Sequence, residues 1–180
     1  KEPETLNWID SFSGDKIVFW DIGANIGLYS IYAASKHSNI EIISFEPSVN
    51  NLRILSRNIY KNKLVSKIKI FQLPLSDDKN IFSSMNEAEF TEGWSMSAFG
   101  ETTNYEGLEF SPKHNYQIFG TNINYLLDNN LEKKYNIIDD LKFDKDIMNE
   151  YFYYYIYGKY YNKLDLDNLS NFYFCQFYKT

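Results

Sequence analysis

The chain has 180 residues, of which 44% are hydrophobic, enough for one domain with a proper core. A net charge of −6 and only two arginines, Arg53 and Arg57, argue against a nucleic-acid footprint, which needs clustered Lys and Arg. The single Cys175 excludes an intrachain disulfide framework and a multi-cysteine metal site, and no apolar run approaches the roughly 20 residues of a membrane span.

A lone cysteine fits a reducing compartment, so the expected location is the cytoplasm. Lys1 begins no basic-then-apolar signal, and without an initiator Met the chain reads as a piece of a longer protein. The 16 Tyr and 14 Phe read as compositional bias and carry little functional weight.

In chain order, 17–21 (Ile-Val-Phe-Trp-Asp) reads as a buried strand, a short apolar run closed by a glycine-bearing turn. Gly27 to Lys36 reads as a helix whose Leu28, Ile31, Tyr32, Ala33 and Ala34 suit a sheet surface. His37, at its end, interacts favourably with the helix dipole. Ile40 to Phe45 is the second strand and runs into Glu46-Pro47. Ser48 or Asn50 caps a further helix, carried by Leu52, Leu55 and Ile59 and ending near Asn62, with Arg53 and Arg57 on its solvated face. Ile68 to Leu73 is a third strand. This alternation predicts an α/β fold, a Rossmann-like, doubly wound and mostly parallel sheet.

Beyond Pro74, residues 77–80 read as a turn and Ile81 to Met85 as a short strand. Residues 86–113 are rich in Gly, Ser, Thr, Asn and Glu and read as a long excursion, a functional lid or a disordered loop. Within it, Trp94 with Ser95, Met96 and Ser97 reads as a lid over a substrate or as a hydrophobic anchor. Tyr116 to Phe119 is a further strand, Thr121 caps a helix through Leu127, and Leu131, Tyr135, Ile138 and Leu141 fall at helical spacing. Tyr151 to Tyr157 fits a helix or an aromatic strand; packing on the core is preferred over a sugar platform or an oligomer surface. Asn171 to Tyr178 reads as a terminal strand. The expected organisation is a cofactor-binding region over 1–128 and a helical, aromatic segment over 129–180 packing on the same domain.

The turn reads Asp21-x-Gly23-x-Asn25-x-Gly27. A strand-to-helix turn offers backbone N–H groups and the positive end of a helix dipole, and glycine lets the main chain approach a ligand. Dinucleotide-binding turns use G-x-G-x-x-G to seat a pyrophosphate. Here an acid leads and Asn25, the non-glycine residue best suited to left-handed backbone, replaces the middle glycine. A leading carboxylate repels pyrophosphate and suits the ammonium of an amino-acid end, directly or through water. Glu46 closes the second strand, where nucleoside-binding sheets grip a ribose diol. The two acids predict one crevice at adjacent strand ends.

These residues resemble the FkbM-type, S-adenosylmethionine-dependent methyltransferases. The matching segments are Asp21 to Ser30, Phe45-Glu46-Pro47-Ser48 with Asn51, Leu55 and Asn58, Leu75-Ser76-Asp77, and Thr121 to Leu127, within residues 15–128. The resemblance implies a class I methyltransferase-like fold with S-adenosyl-L-methionine as cofactor. It implies that Asp21, Gly23, Ala24, Asn25 and Gly27 line the methionine end and that Glu46 holds the ribose. Ser76 and Asp77 then lie near the adenine or the transferred methyl. The implied reaction is O-methylation of a sugar or other small hydroxylated acceptor. One departure stands out: the family's Ile-Lys-Ile-Asp-Val-Glu-Gly strand has as its nearest counterpart Leu141-Lys-Phe-Asp144-Lys-Asp146, without the Glu-Gly ending. If 141–146 is that strand, the helical spacing through Ile138 and Leu141 is misleading.

An acceptor hydroxyl benefits from a base in the transition state, and the candidates are Asp77 and His114. Against these roles stand a turn-forming Asp77 and a solvated loop His114. Two rival readings remain: a non-catalytic cofactor-binding domain without its acceptor side, and a nicotinamide oxidoreductase, disfavoured by Asp21 and Asn25.

Overall fold

The computed structural model describes residues 3–77, 80–104, 107–129 and 172–176, and centres them on a parallel sheet. After helix α1 (Pro3–Asp10) come β1 (Ile17–Ile22), α2 (Leu28–Lys36), β2 (Ile40–Phe45), α3 (Val49–Lys61) and β3 (Ile68–Phe71). They are followed by β4 (Ile81–Glu87), β5 (Ser97–Phe99), β6 (His114–Gly120), α4 (Ile123–Asp128) and β7 (Phe172–Gln176).

The strand order of the main sheet is β3-β2-β1-β7, every neighbouring pair parallel. All six residues of β1 are buried, as a parallel strand covered on both faces requires. Side chains alternate across it. Ile17 and Phe19 join Ile40 and Ile42 of β2 under Ile9, Ala33, Ala34, Leu55 and Ile59 from α1, α2 and α3. Val18, Trp20 and Ile22 join Ile43 and Phe45 under Ile123 and Leu126 of α4. Each fully buried large side chain of this kind stabilises by about 1.5–3 kcal/mol. The outer half that would complete a doubly wound sheet is not among the described elements.

The predicted α2, β2 and α3 are observed. Ser48 is the α3 N-cap, its Oγ accepting from Asn51 N–H at 3.4 Å, and Asn62 is the C-cap. Helix α1 was not expected from the sequence. Pro3 opens it, a position where a missing N–H costs nothing. Thr5, Ile9 and Phe12, one face at helical spacing, are buried. His37 does close α2, and its Nε2 also lies 2.8 Å from Ile9 O, tying α2 to α1.

The described part of the long excursion carries a strand, β5. β4, β5 and β6 form an antiparallel sheet in the order β5-β4-β6, with Glu87 opposite His114 and Phe82 opposite Phe119. The chain between β3 and α4 is tied back by a bridge between Leu75 and Thr121 and by Ser76 N–H donating to Thr121 O at 3.0 Å. Asn122 caps α4 in place of Thr121: its Oδ1 accepts from Tyr125 N–H at 2.9 Å, while the buried Thr121 donates its hydroxyl to Asn80. β7 lies beside β1 with Cys175 opposite Asp21, in agreement with the expected terminal strand. The expectations for residues 131–157, including Leu141 to Asp146, lie outside the described residues. Among the described residues no helix is long and apolar enough to cross a membrane, and no cluster of His, Cys, Asp or Glu suits a metal ion.

Candidate functional site

The turn between β1 and α2 has left-handed backbone at Gly23 (φ 75), Asn25 (φ 53) and Gly27 (φ 85). The two glycines serve different ends. A Cβ at Gly27 would lie 2.5 Å from Leu55 Cδ1, so Gly27 lets α2 and α3 approach. A Cβ at Gly23 would meet nothing within 4 Å, and Gly23 is exposed. The chain is thus open to a ligand at Gly23 and closed at Gly27.

The sequence suggested spare N–H groups in this turn, and the structure corrects that. Gly23 and Ala24 donate to Phe45 O at 2.8 and 2.9 Å, and Gly27 donates to Ala24 O at 2.8 Å. Asn25 N–H donates to Glu46 Oε2 at 2.7 Å and Ile26 N–H to Asn25 Oδ1 at 2.8 Å. All five amides from Gly23 to Gly27 are satisfied within the protein, so none is left to cradle a pyrophosphate. The physical reason is the leading pattern itself: the end of β2 and its Glu46 fold back onto the turn.

Asp21 and Glu46 lie on the same face of the sheet, since Asp21 follows Ile17 and Phe19 by alternation and Glu46 follows Ile40 and Ile42. Both are buried, at 1% and 4% exposure. Asp21 Oδ2 accepts from Ser30 N–H at 3.1 Å and from the Ser30 hydroxyl, which takes Ser44 Oγ–H at 2.7 Å. Gly27, the N-cap of α2, has no side chain to cap with, and the strand carboxylate does this from outside. Burial pushes the Asp21 carboxyl up to about 6 despite Ser30. Glu46 accepts Ser48 N–H on Oε1 at 2.8 Å and Asn25 N–H on Oε2. Burial raises it to about 7, opposed by those two amides and Asn51 and aided by the neighbouring Asp21 charge.

A second polar cluster, which sequence reasoning missed, joins the antiparallel sheet to the start of α3. Glu87 is 1% exposed. It accepts from Ser48 Oγ and Asn50 Nδ2, each at 2.7 Å, and lies 3.3 Å from His114 Nδ1. The Tyr116 hydroxyl lies 2.9 Å from Pro47 O and 3.1 Å from Glu87 Oε1, with one proton to give. Burial, then the Glu87 charge, pushes that hydroxyl upward against the Val49 N–H it accepts. His114 therefore starts strand β6 against a buried carboxylate instead of standing in a free loop. Asp77 is exposed, and its backbone carbonyl accepts from Asn122 Nδ2 at 3.4 Å. Asp21, Glu46, Ala24 and the glycine turn form one constellation; Ser76 and Asp77 are held by the Thr121 strand end, and His114 by Glu87.

No family model matches the chain. Part of it is similar to a methyltransferase. Over 56 residues, 31% of its length, it is 43% identical to Methyltransferase sdnD of Sordaria araneosa, covering 22% of that protein. Over 60 residues, 33% of its length, it is 37% identical to the AMB antimetabolite synthetase AmbE of Pseudomonas aeruginosa, covering 3% of it. The matches thus span 22% or less of the length of these curated relatives. The structure also overlaps the crystal structure of precorrin-6y C5,15-methyltransferase from Geobacter metallireducens, over 39% of this chain and 36% of that one. That overlap has 26% identity and a TM-score of 0.35.

Proposed function

We propose that this chain carries the cofactor-binding part of an S-adenosylmethionine-dependent methyltransferase of the FkbM type, acting on a hydroxyl of a sugar or other small acceptor. The observation that carries the reading is a glycine turn with open space at Gly23 but no amide to spare, beside a strand-end carboxylate, Glu46. The amides from Gly23 to Gly27 that a pyrophosphate would draw on are spent within the protein, which argues against the nicotinamide alternative. A ligand with a ribose diol and no phosphate fits. The likeness to Methyltransferase sdnD supports the same reading.

When bound, S-adenosylmethionine supplies an electrophilic methyl group on a sulfonium. Gly23 and Ala24 then give the backbone surface against which it packs, Asn25 and Gly27 hold the turn in shape, and Glu46 accepts from the ribose hydroxyls. Asp21 is walled off by Ser30, so its part is a negative field behind the turn and a rigid α2 N-terminus. The chain's remaining task is to align an acceptor and remove its proton. His114, oriented by Glu87, and the exposed Asp77 with Ser76 beside it are the groups proposed for that end.

The rival, a binder without the acceptor side, keeps its support in the missing Glu-Gly ending after Asp144. Calorimetry with S-adenosylhomocysteine and with NAD tests the cofactor. The reading expects one-to-one binding of the first and none of the second. Binding of NAD alone overturns it. Turnover against a panel of sugars separates enzyme from binder, with loss of methyl transfer expected in His114→Ala if that residue is the base.

A further inference from the structure

Glu46 is where the ribose should sit, yet it is 4% exposed. The two asparagines that bond Glu46 are both held by the stretch between β4 and β5. Asn25 Nδ2 donates to Gly93 O at 3.1 Å and to Trp94 O at 3.2 Å. Asn51 Nδ2 donates to Trp94 O at 3.0 Å and lies 3.5 Å from Glu46 Oε1, while its Oδ1 accepts Gly93 N–H at 2.8 Å. One carboxamide therefore touches both the strap and the carboxylate beneath it. Both asparagines flank Glu46, one giving it a backbone N–H and the other its side chain.

The attachment is polar. Gly93 is exposed, Trp94 is 40% exposed, and the adjoining Glu92 meets Arg53 only at 3.9 Å with both side chains largely in solvent. The Asn25 bonds to the strap are exposed and the Asn51 bonds half-buried, and such hydrogen bonds are exchanged for water at a net cost of order 1 kcal/mol each. Glu46 is different: its two amide partners belong to the turn and the α3 cap and stay in place when the strap leaves. A carboxylate has about four lone-pair sites, so those two amides leave room for a diol once the cover is off.

We propose that the Gly93–Trp94 strap is a gate, latched by the carboxamides of Asn25 and Asn51, that shields Glu46 and swings off to admit the ribose diol of an adenosyl cofactor. This rests on the cofactor reading above.

The test combines stopped-flow binding of S-adenosylhomocysteine, followed by tryptophan fluorescence, with hydrogen exchange at the residue-93 amide in the ligand-free protein. Two variants loosen the latch from opposite sides. Asn51→Ala removes two of its hydrogen bonds. Gly93→Ala strains the strap itself, because φ there is 80 although a Cβ would meet only ordinary contacts, 3.7 Å from Ile26 Cγ2. Gly93 is exposed, so this second variant carries the test should loss of the buried Asn51 impair folding.

In the wild type the observed rate should level off with ligand concentration at the opening rate. In both variants the plateau and the exchange rate at residue 93 should rise, by roughly thirtyfold for Asn51→Ala. A rate that stays linear, a plateau the variants leave unchanged, or unaltered exchange overturns the gate while the cofactor reading stands. No binding by any of the three proteins overturns the cofactor reading, and the gate with it.

Discussion

Replacing Gly23 by alanine separates the turn's role in folding from its role in binding. The methyl group would meet no heavy atom within 4 Å, so no steric term arises inside the protein. What remains is the left-handed backbone at φ 75, which costs an L-residue about 1–2 kcal/mol. With a urea slope of about 1–3 kcal/mol/M, the midpoint should fall by roughly 0.3–2 M and the variant should remain folded. Gly27→Ala, at φ 85, carries the same backbone cost and adds a 2.5 Å approach to the fully buried Leu55 Cδ1, so it should lose distinctly more stability. For binding the order reverses. Crowding at Gly23 falls in the ligand's space, and an overpacking cost of about 1–3 kcal/mol lowers affinity for S-adenosylhomocysteine by roughly five- to a hundredfold. Gly23→Val should abolish it. Urea denaturation and calorimetry on the same preparations read both quantities. A folded Gly23→Ala variant with wild-type affinity refutes the placement of the ligand, and a stability loss as large as that of Gly27→Ala refutes the open space.

Both buried carboxyls hold protons more tightly folded than unfolded, so their contribution to stability is complete below pH 3.8 for Asp21 and 4.5 for Glu46 and is lost as the pH rises through about 6 and about 7. The loss is on the order of 3 kcal/mol for each, and Glu46→Gln should flatten the fall between pH 5 and 8 in urea denaturation; an identical slope contradicts the burial of Glu46. Glu87→Ala leaves the Ser48 hydroxyl and the Asn50 amide without their acceptor and should cost about 1–3 kcal/mol per group, read as a lower urea midpoint; an unmoved midpoint contradicts the docking of the second sheet on α3. Ser30→Ala removes the shorter of two donors to Asp21 and should destabilise the protein by about 1–3 kcal/mol in the same assay, with more loss at pH 8 than at pH 5, where the carboxyl is increasingly protonated.

The first half of the chain was legible because its signals are local. Ile40 to Phe45 is an unbroken strand in sequence and in structure, and Ser48 and Asn62 mark both ends of α3. The Asp21–Glu46 pairing on one face was also legible, since strand alternation and parallel register fix it. The state of those groups was not. That Asp21 is spent on Ser30, and that the turn's amides are spent on Phe45 and Glu46, depends on contacts between segments that no local pattern records. Of the antiparallel sheet, β4 and β6 were legible as Ile81 to Met85 and Tyr116 to Phe119, and β5 was hidden for a related reason. It lies in a polar stretch and is three residues long, so pairing with β4 and not propensity makes the strand. No sequence signal marks Glu87; only the fold brings Ser48, Asn50, His114 and Tyr116 around it.

The most direct test of the cofactor assignment is a crystal structure of the protein grown with S-adenosylhomocysteine. The account predicts adenosyl density against the backbone of Gly23 and Ala24, with the ribose hydroxyls on Glu46 and the strap at Gly93 displaced. Density for the ligand elsewhere, or a ligand seated with Glu46 still sealed beneath Trp94, would contradict it.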